Sequence, residues 1–298
     1  MNTKGWIIYN GNLPGTKFLD YAQMLETEAI KNKSDVTLYK NNELLSLLTT
    51  TNLSLLPDKE LPDYVIFTDK DIYLARQLEL LGIPVFNSAQ SIETSDDKIA
   101  TYQQLAIQQL PIPDTIIAPK IFAEGFIEKS VTQSIIDQLG LPMIIKEAFG
   151  SFGEQVYLIQ TEEELDRKIG ELQGKPFLFQ RFIEESTGVD LRLQVVGDEV
   201  IAAMKRKSAN DFRANVTSGG TMEPYHPTNE EKKLAVQAAK AIGADFAGVD
   251  LLLGPGQSRL ICEVNSNAHI RNLFDCTSIN AAEFIVDYIL KQINVKGK

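Results

Sequence analysis

The periodicity of apolar residues changes character part-way along this chain, and that change constrains the fold more than any other feature. Over the first ninety residues, short apolar runs alternate with amphipathic stretches. Residues 5–9, 35–39 and 63–68 read as strands, residues 18–31 and 72–81 as helices, and residues 84–86 complete the pattern. Strand–helix–strand order of this kind predicts a small open parallel sheet flanked by helices. A helical stretch follows at 95–110, capped by Ser95 or Asp96 and stopped before Pro111 and Pro113, which cannot continue a helix. Beyond it the layout becomes α+β with antiparallel strands. Strand-like runs at 142–146, 155–159 and 176–182 accompany a charged helix at 161–172. Segments 190–196 and 199–204 read as a hairpin turned at Gly197 and Asp198, and 229–242 as a helix capped by Asn229. Paired strands at 248–253 and 260–264 and a helix at 280–293 finish the chain.

A chain of 298 residues exceeds a typical single domain, so a core divided between two or three units is expected. The formal net charge of -11 argues against a nucleic-acid or acidic-membrane footprint, because phosphate neutralisation needs clustered Lys and Arg. It leaves room for a local basic pocket holding one nucleotide. No apolar run approaches the roughly 20 residues that span a bilayer, and the N-terminus lacks a signal-peptide pattern. Cys262 and Cys276 have neither CxxC spacing nor the density of a disulfide scaffold. The expectation is a soluble cytoplasmic protein with reduced thiols.

Two segments carry chemistry. The first is Lys146-Glu-Ala-Phe-Gly150-Ser151-Phe152-Gly153, where a lysine ends an apolar strand and a glycine-rich loop precedes the next one. Glycines let backbone N–H groups approach phosphate oxygens, and a lysine supplies a point charge for them. The loop lacks the Walker pattern and, taken alone, could be a hairpin turn. The second segment pairs Phe246-Ala-Gly-Val-Asp250 with Glu263-Val-Asn265. Glu263 and Asn265 are two apart on a strand and so share a face. Three oxygen donors with no His or Cys among them suit a hard cation, and Mg²⁺ binds few carboxylates and completes its shell with water and phosphate. The bland alternative makes Asp250 and Glu263 surface charges on edge strands.

Lysine–glycine loop, connecting segment, Asp strand and Glu-x-Asn strand, in this order, resemble the ATP-grasp superfamily and more closely its RimK-type branch. The resemblance covers about residue 87 to the C-terminus. It implies an N-terminal α/β domain over 1–90, a central lobe with the glycine loop over 91–180, and a C-terminal lobe with the metal site over 181–298. Lys98 and Lys146 would hold phosphates, Gly150, Ser151 and Gly153 would form the covering loop, and Gln180, Arg181, Phe182 and Ile183 would recognise adenine. The family often has Glu where Arg181 stands. Asp190 would bind ribose, and Arg213, Ala214 and Asn215 would lie near the transferred phosphate. Asp250, Glu263 and Asn265 would hold two Mg²⁺ ions, or Mn²⁺. After Glu-x-Asn the family often reads Ala-Ser-Pro-Gly, whereas this chain has Ser266-Asn267-Ala268-His269-Ile270-Arg271. Arg192, Asn267, His269 and Arg271 are therefore the substrate-side candidates, with Arg206 a further guanidinium able to grip a carboxylate.

The activity implied is an ADP-forming ligase: ATP converts a carboxylate to an acylphosphate, and an amine, with an amino acid as one substrate, displaces phosphate. Lys146 and Arg213 would stabilise the developing charge. Small-molecule or peptide substrates and a homo-oligomer are implied, with no nucleic acid or membrane partner. Two alternatives remain at this point: a phosphotransferase of the same fold, and a non-catalytic nucleotide-binding regulator. A Rossmann cofactor protein is disfavoured because the segment from Gly11 to Gly15 lacks GxGxxG.

Overall fold

The structure is a computed structural model that describes residues 3–120, 127–151, 153–214 and 219–296. Phe152 and Asn215 lie outside the described residues. In chain order the first part runs β1 (Lys4–Tyr9), α1 (Lys17–Lys31), β2 (Asp35–Lys40), β3 (Leu45–Leu48), β4 (Leu53–Leu56), β5 (Tyr64–Phe67), α2 (Ile72–Leu80) and β6 (Val85–Phe86). β1 and β5 are apolar and almost wholly buried, as strands covered on both faces must be. They form the middle of a parallel sheet of order β2-β1-β5-β6. α1 buries Tyr21 and Leu25 beside Ile7 on one face, and α2 buries Leu74 and Leu78 beside Ile8 on the other. β3 and β4 pair as a separate hairpin that the sequence pattern did not announce.

The middle of the chain contains α3 (Ala89–Asp96), α4 (Lys98–Ile107), β7 (Thr115–Ile117), α5 (Lys129–Leu139), β8 (Met143–Glu147), β9 (Val156–Ile159), α6 (Glu162–Glu171) and β10 (Phe177–Arg181). Its antiparallel sheet, of order β7-β10-β8-β9, packs Ile145 and Phe179 against Ile135 of α5 and Leu165 of α6. The last part contains β11 (Val189–Val196), β12 (Glu199–Lys207), β13 (Thr221–Pro224), α7 (Asn229–Ala241), β14 (Phe246–Leu253), β15 (Arg259–Asn265), α8 (Arg271–Thr277) and α9 (Ala281–Lys296). Its sheet is antiparallel in the order β13-β12-β11-β14-β15. Leu191, Leu193 and Val249 pack on Ala235 and Ala238 of α7, leaving the alternate residues to face the opposite way.

Two expectations need correction. The helix expected over 95–110 is two helices broken at Asp97, whose extended backbone ends α3 and whose Oδ1 accepts from Ile99 N (2.8 Å) and Ala100 N (3.2 Å) to cap α4. Asp97, rather than Ser95 or Asp96, is the cap. Likewise α7 starts from Thr228, not Asn229: Thr228 and Glu231 form a reciprocal capping box that satisfies two terminal N–H groups.

The C-terminal part returns onto the N-terminal one. Ile285 and Ile289 of α9 and Leu273 of α8 share a core with Tyr21 and Leu25. A polar clasp reinforces the seam. The fully buried Asn87 donates to the carbonyls of Phe246 and Ser266 (both 2.9 Å) and accepts from the N–H groups of Asp245 (2.6 Å) and Phe246 (3.2 Å). Its amide is thus satisfied entirely by backbone of the last sheet. Among the described residues no helix is long and apolar enough to cross a membrane.

Candidate active site

The faces of the two antiparallel sheets that carry no helix line one cleft of about 760 Å³, whose far end is closed by loops of the parallel sheet. On the last sheet, strand register sets Asp190 opposite Arg206 and Arg192 opposite Asp250. The result is an ion lattice. Arg206 grips Asp190 through two hydrogen bonds (2.7 and 2.6 Å), and Arg192 grips Asp250 in the same way (2.6 Å each). A second contact of Arg206, 2.8 Å to Asp250 Oδ2, joins the pairs. Burial opposes the charge on Asp250, but the two guanidinium groups outweigh it and hold its carboxyl below the usual carboxylate range.

Beside this lattice, Glu263 pairs across the strands with Asp250, and Asn265 with Gly248. Among the described residues the Glu263 carboxylate has no hydrogen-bond partner, and the buried Nδ2 of Asn265 has none either. Amide orientation is an assignment, so the unpartnered Asn265 equally offers an oxygen donor. An open carboxylate and an orphan amide beside a second carboxylate are an oxygen-only donor set fit for Mg²⁺. Asp250 Oδ1 accepts from Arg192 alone, which leaves a lone pair with which it could join as a ligand. No group of three His, Cys, Asp or Glu side chains able to hold an ion occurs among the described residues, in keeping with a site of two carboxylates and one amide.

Across the cleft, Lys146 and Lys98 rest on neutral groups. Lys146, the penultimate residue of β8, is buried and donates to Tyr102 Oη (2.9 Å), with Cys262 Sγ at 3.8 Å. Tyr102 in turn donates to the Cys262 carbonyl (2.6 Å), so the lysine is held by a buried relay. Burial opposes the Lys146 charge, yet Cys262, Tyr102 and Glu263 leave its pKa above the ordinary lysine value. Lys98 opens α4 and donates to the Gly150 carbonyl (3.2 Å); burial lowers its pKa. Gly150 (φ 148°) and Gly153 (φ 74°) need the conformational freedom of glycine, and a Cβ on Gly150 would stand 2.3 Å from Gln155 Oε1. Lys70 donates to Ser151 Oγ (3.1 Å), and Arg213 donates to the Gly153 carbonyl while pairing with Asp211 (2.7 Å). Buried Ala214 follows it.

At the junction of the two sheets, Gln180 donates to Thr115 (2.8 Å), Ile183 is buried, and Phe182 meets Phe212 edge-on at 6.4 Å. Arg181 turns away to Asp114 (3.0 Å) and the Gln138 carbonyl (2.8 Å). At the far end, His269 sits between Phe18 (5.1 Å) and Tyr21 (5.9 Å), its pKa pushed down to about 4 by burial and by Lys17 and Arg192. It is neutral at pH 7. Arg271 is bound bidentately to Asp20 (2.8 and 2.6 Å), which pins α8 to α1, and Asn267 donates to the Asp69 carbonyl (2.5 Å). Tyr102, Cys262 and Lys70 escaped sequence reasoning because a lone Tyr on a helix and a lone Cys on a strand carry no spacing signal. Lys70, in the charged loop after β5, could have been flagged by its place at the carboxyl end of a parallel strand.

Lysines beside a glycine loop face an oxygen-donor strand pair across one cleft, and known proteins carry the same arrangement of sequence. The RimK-like ATP-grasp domain model matches residues 95–289. The chain belongs to the RimK-like ATP-grasp family. It is 31% identical to an uncharacterised protein of Mycoplasma pneumoniae over 84% of this chain and 88% of that one. It is 34% identical to a probable alpha-L-glutamate ligase of Hahella chejuensis over 73% of this chain and 70% of that one. The solved VanG D-Ala:D-Ser ligase of Enterococcus faecalis superposes with a TM-score of 0.72 at 18% identity, covering 98% of this chain and all of that one. This RimK-like ATP-grasp protein is an ATP-dependent carboxylate–amine ligase.

Proposed function

We propose that this RimK-like ligase joins a carboxylic acid to an amino acid or peptide amine through an acylphosphate. The observation that carries this reading is the division of charge across one cleft: lysines beside a glycine loop on one wall, Glu263, Asn265 and Asp250 on the other. A carboxylate oxygen attacks the γ-phosphorus of ATP and ADP leaves; the amine, having released its ammonium proton to solvent, attacks the acyl carbon, loses a second proton and expels phosphate. The residues of the chain position and neutralise rather than form bonds. Lys146 and Arg213 meet the developing phosphoryl charge, Lys98 the other phosphates, and Gly150, Ser151 and Gly153 shield the acylphosphate from water. Gln180, Phe182 and Ile183 bracket adenine, with Arg181 contributing backbone only. Asp190 is the ribose candidate, although its carboxylate is committed to Arg206. Asp250, Glu263 and Asn265 would hold two Mg²⁺ ions, or Mn²⁺, which neutralise phosphate charge when bound.

The units 1–90, 91–180 and 181–298 act as substrate-side domain, loop lobe and metal lobe of a cytoplasmic, homo-oligomeric enzyme. Mass spectrometry of products after incubation with ATP, Mg²⁺ and pooled amino acids, peptides and small acids tests the proposal. It expects a condensation product, one water lighter than its two parts, that vanishes when Mg²⁺ is chelated. A stable phosphorylated compound formed without any amine would favour the phosphotransferase alternative and overturn it.

A further inference from the structure

Six carboxylates are buried among the described residues: Glu28, Asp69, Glu147, Asp190, Glu231 and Asp250. Five of them pair with a Lys or Arg of this chain, respectively Lys31, Lys175, Arg206, Arg259 and, for Asp250, Arg192. Asp69 is the exception. It is 7% exposed, and its partners among the described residues are neutral: Asn10 Nδ2 at 2.9 Å from Oδ1, and the backbone N–H groups of Lys70 and Asp71. Burial pushes the Asp69 carboxyl above the ordinary aspartate range, and a cation from outside the chain would offset the cost of its charge.

Its position is where an open α/β sheet binds ligands. The chain leaves β1 for β2 on one side and later returns to β5 on the other side of β1. Loops after β1 and β5 therefore depart in different directions and open a crevice at the carboxyl ends of those strands. Asn10 directly follows β1, and Thr68 and Asp69 directly follow β5. The side chain of Asn10 is itself fixed, its Oδ1 accepting from the N–H groups of Asn12 (3.0 Å) and Leu13 (2.8 Å). From the C-terminal part, Asn267 reaches the Asp69 carbonyl (2.5 Å) and keeps an Oδ1 with no hydrogen-bond donor among the described residues. Asn10, Asp69 and Asn267 line the cleft that also holds Lys146 and Glu263.

We infer that Asp69, held by Asn10 and flanked by Asn267, is the subsite for the ammonium group of the amine substrate, an α-amino acid. The inference rests on the amide-ligase reading for the fate of that amine, and on this geometry alone for its binding. An ammonium brings three donors and a positive charge, which match a carboxylate short of a cation and an amide oxygen short of a donor. The parallel sheet then selects the acceptor, while the two antiparallel sheets hold the nucleotide.

Calorimetric titration of the full-length protein, with Mg²⁺ and a non-hydrolysable ATP analogue present, tests this against the common L-amino acids and matched acids lacking the amino group, such as L-glutamate against glutarate. At least one amino acid should bind, its des-amino partner about tenfold or more weakly, because charge-assisted hydrogen bonds are lost. Asp69→Asn should weaken that amino acid by a similar factor with nucleotide affinity and melting temperature unchanged, and Asn10→Ala should do so to a smaller degree. Unaltered amino-acid binding by Asp69→Asn, equal binding of the des-amino acid, or no binding by any amino acid would overturn the inference. If an amino acid bound in this Asp69-dependent way gave no amide product when supplied with ATP, Mg²⁺ and a panel of acids, the ligase reading would fall and the subsite would stand.

Discussion

The two walls of the cleft hold their cations differently. On the last sheet, Arg192 and Arg206 are locked onto carboxylates in a buried lattice. On the opposite wall, Lys146 and Lys98 rest on a phenol, a thiol and a backbone carbonyl. A lysine on neutral oxygen gives up little when a phosphate replaces its partner. A bidentate arginine–carboxylate pair in a buried site is costly to break. The lysine wall is therefore ready for nucleotide, whereas the arginine wall releases its guanidinium groups only if something else takes the carboxylate of Asp250. A divalent cation would do so, and the freed Arg192 would then face the substrate end of the cleft.

The comparison can be broken by mutation, most severely at the lattice. Asp250→Ala leaves Arg192 unpaired beside Arg206, which keeps only Asp190, and should cost about 3–5 kcal/mol of stability, read from denaturant melts. A loss below about 1 kcal/mol would mean that the lattice is not the rigid wall. On the lysine wall, Lys146→Ala should instead leave the fold near wild type and lower ligase turnover by about 10²–10³-fold, measured as ADP release. Equal effects of the two substitutions on stability would erase the distinction between the walls.

What the sequence made legible follows the strength of local signals. Lys146, Asp250, Glu263 and Asn265 are readable because polar groups interrupt apolar strands, Gly150 because it belongs to a glycine-rich loop, and these residues do meet in one cleft. The break at Asp97 was missed because residues 95–110 lack a Gly or Pro to mark it; the side-chain cap that decides it competes with continued helix. α8 is seven residues long, too short for its periodicity to show. The arginine lattice was invisible because it depends on which strands become neighbours: Asp190 and Arg206 are sixteen residues apart and Arg192 and Asp250 fifty-eight, and only register brings them together. Arg271 reads equally as a substrate grip or as an ion-pair partner, and it is the latter, committed to Asp20 across the seam between the chain's two ends.

Smaller effects sharpen the picture at the loop and at the substrate end. Gly150→Ala forces a side chain onto φ 148° beside Gln155 and should destabilise the protein by about 1–3 kcal/mol, with a larger effect on nucleotide affinity than on amine affinity. The gentlest test uses pH. His269 has a folded-state pKa of about 4, below its ordinary 6.5, so between those values the unfolded chain binds more protons than the folded one. Stability should accordingly rise with pH across that window, and melting temperatures of a His269→Asn variant should show a flatter slope there than wild type. An unchanged slope would show that His269 does not set the acid sensitivity of this window. The depressed pKa of Asp250 makes its own contribution fully present above the ordinary aspartate value and lost below it.

The central claim, that ATP activates a carboxylate for attack by an amine, is tested most directly by following oxygen. Acids labelled with heavy oxygen in their carboxylates are incubated with the enzyme, ATP, Mg²⁺ and pooled amino acids, and the released phosphate is weighed by mass spectrometry. An acylphosphate route transfers one labelled oxygen from each coupled carboxylate to phosphate, with ADP, phosphate and amide formed in equal amounts. Unlabelled phosphate accompanying amide formation would contradict it.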